Sequence, residues 1–197
     1  MEATLMDLDE NIPDWVTKNN IPGWLRSNDL IALYQLSSSL SENAVIVEVG
    51  SFHGKSAVQL ARSLSSGTIY CFDHWSGYTA LAEDGITREN DLETFRHFTK
   101  EYKNIVSKKI NHIEDADWKE LEIDMLFIDA SHQNPSDWEI IEYFMPYIKQ
   151  NGILCGHDYY KERFSPDVND NVDRLEEILK QKVTTYGDYS SVWSFRV

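Results

Sequence analysis

Apolar residues in this chain gather in short runs, with stripes at helical spacing between them. Near-continuous apolar runs fall at Ala44–Val49, Thr68–Phe72, Lys109–Ile113, Asp124–Ile128 and Gly152–Cys155. Runs with so little alternation are how strands covered on both faces read. Two further β-type runs follow at Val183–Tyr186 and Ser191–Val197. The stripes are Leu30, Ile31, Leu33, Leu36 and Leu40, then Ala57, Val58, Leu60, Ala61 and Leu64. Ile141, Phe144, Met145 and Ile148 make a third, and Val168, Val172, Leu175 and Leu179 a fourth. A long polar helix is expected from Arg88 to Val106. Ser136 and Glu139 have capping-box spacing, and Asn151-Gly152 would end the helix they open.

Strand and helix alternate, which predicts an α/β fold with a mainly parallel sheet and helices on both faces. The last two runs break the pattern. Only Gly187 to Ser190 separates them, too little for a crossover, so they are expected to form a hairpin with the last strand antiparallel. The connection from His74 to Lys108 is long, as lids and binding loops are. No internal repeat or low-complexity linker divides the sequence. The expectation is a single domain over 1–197, with 1–28 as an N-terminal cap over the cofactor site or a neighbouring subunit.

Composition narrows the classes. The chain has 197 residues, 33 acidic against 18 basic, for a formal net charge of −15. Hydrophobic residues make up 42%, too many for a disordered acidic tail. A pI near 4.7 without a Lys/Arg run disfavours nucleic acid and anionic membrane surfaces as partners. No apolar stretch is long enough to span a bilayer. The first residues lack the order of a signal peptide. Cys71 and Cys155 lie in apolar runs and make no disulfide framework. A cytoplasmic location is expected.

The chemistry should lie where the strands end, since open α/β sheets bind ligands beyond the carboxyl ends of their strands. The first strand runs into Glu48, Val49, Gly50, Ser51, Phe52, His53, Gly54, Lys55 and Ser56. Gly50 would turn the backbone tightly against a ligand, and Gly54 would start a helix close to the sheet. The spacing is neither G-x-G-x-x-G nor a P-loop, which disfavours pyrophosphate. Glu48, an acid ending a buried strand, repels phosphate and suits a cationic amine. Asp73 ends the second strand, where an acid can accept both hydroxyls of a ribose; His74 and Trp75 would flank the nucleoside. Asp115 and Ala116 would sit at the next crevice. The fourth and fifth strands end in Asp129, Ala130, Ser131, His132 and in His157, Asp158, Tyr159. Asp129, His157 and Asp158 could hold a divalent ion, and His132 could act as a general base. Trp75, Tyr78 and Tyr159 are candidate walls of an acceptor pocket.

These residues together resemble the class I S-adenosylmethionine-dependent methyltransferases, over about Leu30 to Val197. Glu48 to Ser56 is similar to the E-x-G-x-x-x-G-x-S loop of small-molecule O-methyltransferases. Ile128 to Tyr159, with D-x-S-H, N-G-I-L and G-H-D-Y, resembles the macrocin-type and cephalosporin-hydroxylase-like group. The resemblance implies a Rossmann-like three-layer sandwich with a seven-stranded sheet whose last strand is reversed. It implies S-adenosylmethionine as cofactor, held by Glu48, Val49, Gly50, Ser51, Gly54, Lys55, Ser56, Asp73, His74, Trp75, Asp115, Ala116 and Asp129. It implies methyl transfer to a small-molecule oxygen, with His132, Asp129 and His157 as catalytic residues. In catechol-type relatives the positions of Asp129, His157 and Asp158 are tied to metal binding, and that of His132 carries a catalytic Lys. The family pair matching His157-Asp158 reads Asp-Asn, so the ligand set differs here; Mg²⁺, Mn²⁺ and Fe²⁺ are the candidate ions. Two rival readings stay open: an iron-dependent oxygenase-like site, and a non-catalytic adenosylmethionine-binding module. A homo-oligomer is compatible with either.

Overall fold

The computed structural model describes residues 3–7, 12–76, 91–119, 121–160 and 164–197. Its elements, in chain order, begin with β1 (Thr4–Met6), α1 (Ser27–Ser38), β2 (Ala44–Val49), α2 (Lys55–Ser63) and β3 (Gly67–Asp73). They continue with α3 (Asp91–Thr99), β4 (Ile105–Lys109), β5 (Ile123–Ile128), α4 (Ser136–Phe144) and β6 (Ile148–Gly156). The last are α5 (Pro166–Leu179), β7 (Thr184–Tyr186) and β8 (Trp193–Arg196). Short 3₁₀ turns cover Ile113–Ala116 and Met145–Tyr147.

The strands form one sheet in the order β1-β7-β8-β6-β5-β2-β3-β4. All pairings are parallel except those of β8, which runs antiparallel to β6 and β7. The expected reversal of the last strand is therefore present. Among the described residues the sheet has eight strands rather than seven, because Thr4–Met6 adds a parallel edge strand beside β7. All three of its residues are exposed, so no hydrophobic pattern marked it.

Alternating strand positions feed two cores. Ile46, Ile69, Met125, Phe127 and Cys155 face Leu33, Ala57, Leu60 and Phe95 of α1, α2 and α3. Val47, Leu126, Leu154 and Phe195 face Ile141, Phe144, Val172 and Leu175 of α4 and α5. This is the three-layer sandwich the near-continuous apolar strands implied. Both cysteines are free and buried. Among the described residues, no helix is long and apolar enough to cross a membrane.

Four local expectations need correction. The third strand is Ile105–Lys109, not Lys109–Ile113. It is an edge strand with four exposed residues, whereas Ile110 and Ile113 are buried just beyond it. Apolar content there tracks burial in a turn, not pairing. Residues 88–90 lie outside the described residues; from Asp91 the helix runs only to Thr99, and Ile105 and Val106 belong to β4. The Ser136/Glu139 capping box does not form. Helix α4 is capped at Pro135, and the amides of Asp137 and Glu139 already bond to the Gln133 and Pro135 carbonyls. Asn151-Gly152 lies inside β6 rather than ending a helix. The pairing with β5 shifts register there, and Asn151 takes a left-handed φ of 66°.

Strand order reverses between β2 and β5, whose carboxyl ends sit side by side. The Asp129 N–H donates to the Val49 carbonyl at 2.9 Å, and the Gly50 N–H to the Phe72 carbonyl at 2.9 Å. Gly50 has φ 93°, and a Cβ there would come within 2.0 Å of the Asp129 carbonyl oxygen. The direction a Gly50 side chain would take is thus filled by the end of β5. Gly50→Ala combines a strained φ with a backbone clash, and should lower unfolding free energy by about 2 kcal/mol or more in urea titrations. A native midpoint would show that the two strand ends are not packed this closely.

Candidate active site

A cavity of about 880 Å³ opens over the carboxyl ends of β2, β3, β5 and β6. This is the crevice at the topological switch point where α/β sheets bind ligands. One wall is the loop after β2, with Val49, Gly50, Ser51, Phe52, His53, Lys55 and Ser56. Asp73 and His74 border it after β3, and Asp129, Ser131 and His132 after β5. His157, Asp158 and Tyr160 border it after β6. Residues 22–26 of the N-terminal segment line another side.

The Asp73 carboxylate is tied into its loop. One oxygen accepts the Phe52 N–H at 2.8 Å, and the other the Trp75 N–H at 2.7 Å. Each oxygen has a second lone pair, and the residue borders the cavity. His74 stands beside it, its Nδ1 bonded to Ser76. Trp75 turns away: it is buried, packs on Phe95, and donates its indole N–H to the Phe52 carbonyl at 2.7 Å. It does not line the cavity. Neither do Asp115 and Ala116. The exposed Asp115 carboxylate accepts the amides of Asn111 and His112, which holds it below the usual range and caps the turn. The cavity meets Ile110, Asn111, His112, Ile113 and Glu114 instead, because β4 ends four residues earlier than the apolar run suggested. Gly54 also lies off the cavity; its open side faces Phe95 and Thr99 of α3. Tyr78 lies outside the described residues, and Tyr159 is half-buried against the α4/α5 core.

Glu48 sits beneath the loop rather than on the cavity wall. It is fully buried, and neither carboxylate oxygen has a hydrogen bond of ordinary geometry, although Ser51, Ser56 and Cys71 lie near it. Burial raises its pKa to about 7, with the Asp129 charge pushing the same way. Lys55 is partly buried, which lowers its pKa, and reaches the Gly23 carbonyl at 3.3 Å.

The opposite end of the cavity is a knot of charge. His157 is 5% exposed. Its Nδ1 lies 3.5 Å from Asp129 Oδ1 and 3.4 Å from Asp158 Oδ2, and its Nε2 lies 3.2 Å from Asp29 Oδ2. Burial works against a charge on this ring, but the carboxylates around it prevail and hold its pKa well above the ordinary value. In return Asp158 is lowered to about 2 and Asp29 is also lowered, each against its own burial. Both ring nitrogens of His157 face carboxylates. Among the described residues, Asp129, His132 and Asp158 form a group that could hold a metal ion, with ligand atoms all within 4.8 Å of one another. His132 Nε2 is 3.2 Å from Asp158 Oδ2 and 3.8 Å from Asp129 Oδ1. His132 and Asp158 both take left-handed backbone conformations, φ 57° and 60°, which turn their side chains toward each other.

Asp29 escaped the sequence reading. It lies in the first turn of α1, where an acid reads as a helix cap, and it does accept the Arg26 N–H at 2.8 Å. The same carboxylate also accepts from Ser190 Oγ and the Ser191 N–H of the β7–β8 connection. No local pattern could have paired residues so far apart in sequence.

Residues 47–159, more than half of the chain, match the family described as methyltransferase domain. The chain belongs to the methyltransferase domain family. This agrees with the expected class, the S-adenosylmethionine-dependent methyltransferases. Solved structures share the fold of this methyltransferase at low sequence identity. A Staphylococcus aureus protein provisionally described as a caffeoyl-CoA O-methyltransferase is 15% identical, with TM-score 0.62 over 93% of this chain and 90% of its own. The Bacillus cereus O-methyltransferase in complex with SAH is 17% identical, with TM-score 0.59 over 84% of this chain and 79% of its own. An rRNA methylase of Streptococcus thermophilus is 13% identical, with TM-score 0.57 over 84% and 93%. No curated protein matches the sequence.

Glu48 gives the methyltransferase a pH signature. In the folded, ligand-free protein it titrates at about 7, against an ordinary 4.5. Between those values the unfolded chain has released a proton that the folded chain keeps, so this group lowers stability as pH rises through that window. Glu48→Gln should remove that slope. Its stability relative to the native protein should improve by on the order of 2–3 kcal/mol between pH 4.5 and 8 in urea titrations. A constant difference would place the carboxylate in a wetter site.

Proposed function

We propose that this methyltransferase transfers the methyl group of S-adenosylmethionine to an oxygen of a small-molecule acceptor in the cytoplasm. One observation carries the reading. A single cavity has a ribose-competent carboxylate, Asp73, on one side and the Asp129, His132 and Asp158 cluster on the other, with the buried Glu48 carboxyl beneath it. Those carboxylates suit a ligand that brings donors and positive charge. Adenosylmethionine has both, in its ammonium, its ribose hydroxyls and its sulfonium.

In this reading Asp73 accepts from the ribose hydroxyls, and Ser51 and the backbone of Val49 and Gly50 cradle the amino-acid end. Glu48 lies below the loop and favours the cation through the low-dielectric floor. Bound adenosylmethionine supplies the methyl group. His132 Nε2 takes the acceptor's hydroxyl proton, and Asp158 and Asp129 stabilise the imidazolium that results. His157 acts as a positioning residue, holding the two carboxylates in place. In place of the cofactor contacts expected of them, Trp75, Gly54, Asp115 and Ala116 shape the loops that carry the others.

In a second arrangement, with the His132 ring nitrogen a ligand and not the base, Asp129, His132 and Asp158 would hold a divalent ion, two carboxylates with one imidazole. The nitrogen donor favours Mn²⁺ or Fe²⁺ over Mg²⁺. Such an ion, when bound, would lower the acceptor's pKa and orient it. The net charge of −15 supports a small acceptor over RNA, and the N-terminal segment is proposed to act as a cap over the cofactor.

Calorimetric titration with S-adenosylmethionine and S-adenosylhomocysteine tests the proposal. The native protein should bind both in the micromolar range, and Asp73→Ala should weaken binding by about tenfold or more, roughly 1.4 kcal/mol. His132→Ala should keep cofactor binding and lose turnover in an acceptor screen run with and without Mn²⁺. No binding by the native protein in either buffer would overturn the reading.

A further inference from the structure

The glycine loop holds a second buried histidine, which the mechanism above does not use. His53 is 2% exposed and borders the cavity next to Asp91. Its Nε2 lies 2.9 Å from Asp91 Oδ1, and Asp91, the first residue of α3, is itself buried. The carboxylate is an acceptor, so the ring proton belongs on Nε2, and in the neutral imidazole Nδ1 keeps a lone pair. That atom is buried and has no hydrogen-bond partner among the described residues. The ring has little freedom to turn away. Phe52 stacks on it with centroids 3.7 Å apart and planes at 12°, and Trp24 stacks on Phe52 at 5.1 Å.

A buried acceptor is normally satisfied. Here an Asp fixes the tautomer, a stack fixes the plane, and the lone pair is left over at the edge of a ligand cavity. A lock joining the loop to α3 would need only the Nε2 bond. We propose that His53 is a cofactor-binding residue: its Nδ1 accepts a hydrogen bond from a donor of S-adenosylmethionine, the α-ammonium group or a ribose hydroxyl, and Asp91 is the positioning residue that sets its tautomer. This rests on the adenosylmethionine reading of the cavity and adds to it a side-chain contact from the glycine loop.

The test is calorimetry on the full chain with two probes, S-adenosylhomocysteine and 5′-methylthioadenosine, which keeps adenine and ribose but lacks the amino-acid end. His53→Ala should weaken S-adenosylhomocysteine about tenfold, whereas His53→Asn, whose amide oxygen can stand where Nδ1 stood, should recover most of that loss. If the donor is the ammonium, His53→Ala leaves methylthioadenosine affinity unchanged; if it is a ribose hydroxyl, both probes weaken. Either pattern supports the contact. Native affinity in His53→Ala, or equal losses in the Ala and Asn variants, overturns it while native binding leaves the cofactor reading standing. Failure of the native protein to bind either probe overturns both. A measurement on the unaltered chain guards against a variant that does not fold. The ¹⁵N resonance of His53 Nδ1, identified by its absence from His53→Asn, should shift when S-adenosylhomocysteine is added, and an unmoved resonance counts against the proposal.

Discussion

The site depends on one buried imidazole surrounded by three carboxylates. His157 follows β6, Asp129 follows β5, Asp158 is next in sequence, and Asp29 reaches across from α1. Without a positive charge at the centre, Asp129 and Asp158 would have only the more exposed His132 close to both. Removing one partner of a buried charged group commonly costs about 3–5 kcal/mol, because what remains is stranded. The same contact has a topological effect. Through Asp29 and its bonds to Ser190 and Ser191, it ties the first helix and the reversed last strand to the floor of the site. The acidic cluster that faces the cavity is thus a product of the fold's long-range closure, not of one loop.

Around that knot the sheet decides where a ligand can lie. Strand order reverses between β2 and β5, so the loops after them leave in opposite directions and open the crevice. Gly50 lets the two strand ends touch backbone to backbone, which brings the Asp73 side and the Asp129 side into one cavity. Beneath and beside this crevice, Glu48 has only the Ser51 and Ser56 hydroxyls and the Cys71 thiol near it, and His53 Nδ1 has no hydrogen-bond partner among the described residues. Native structures seldom leave such groups buried without a partner, and their concentration here is consistent with a ligand that carries donors and positive charge.

Much of this was legible in the chain itself. The two-sided strands, the C-terminal hairpin and the acids at strand ends are local patterns, and the sandwich with its reversed strand follows from them. What was missed is long-range or runs against local pattern. Asp29 looks like a helix cap. The buried Ile110 and Ile113 mimic a strand, and so shifted the expected crevice onto Asp115 and Ala116. Trp75 reads as a nucleoside wall but turns into the core against Phe95. His157 reads as a metal ligand from its neighbours in sequence. Its neighbours in space make it the counter-charge, and leave His132 with the ligand geometry.

The most direct measurement is a crystal structure of the protein with S-adenosylhomocysteine. The account predicts the nucleoside over the end of β3 with its ribose on Asp73, and the sulfur over the β2–β5 switch point facing Asp129 and His132. A ligand bound away from this crevice, or an open crevice in crystals saturated with S-adenosylhomocysteine, would contradict it.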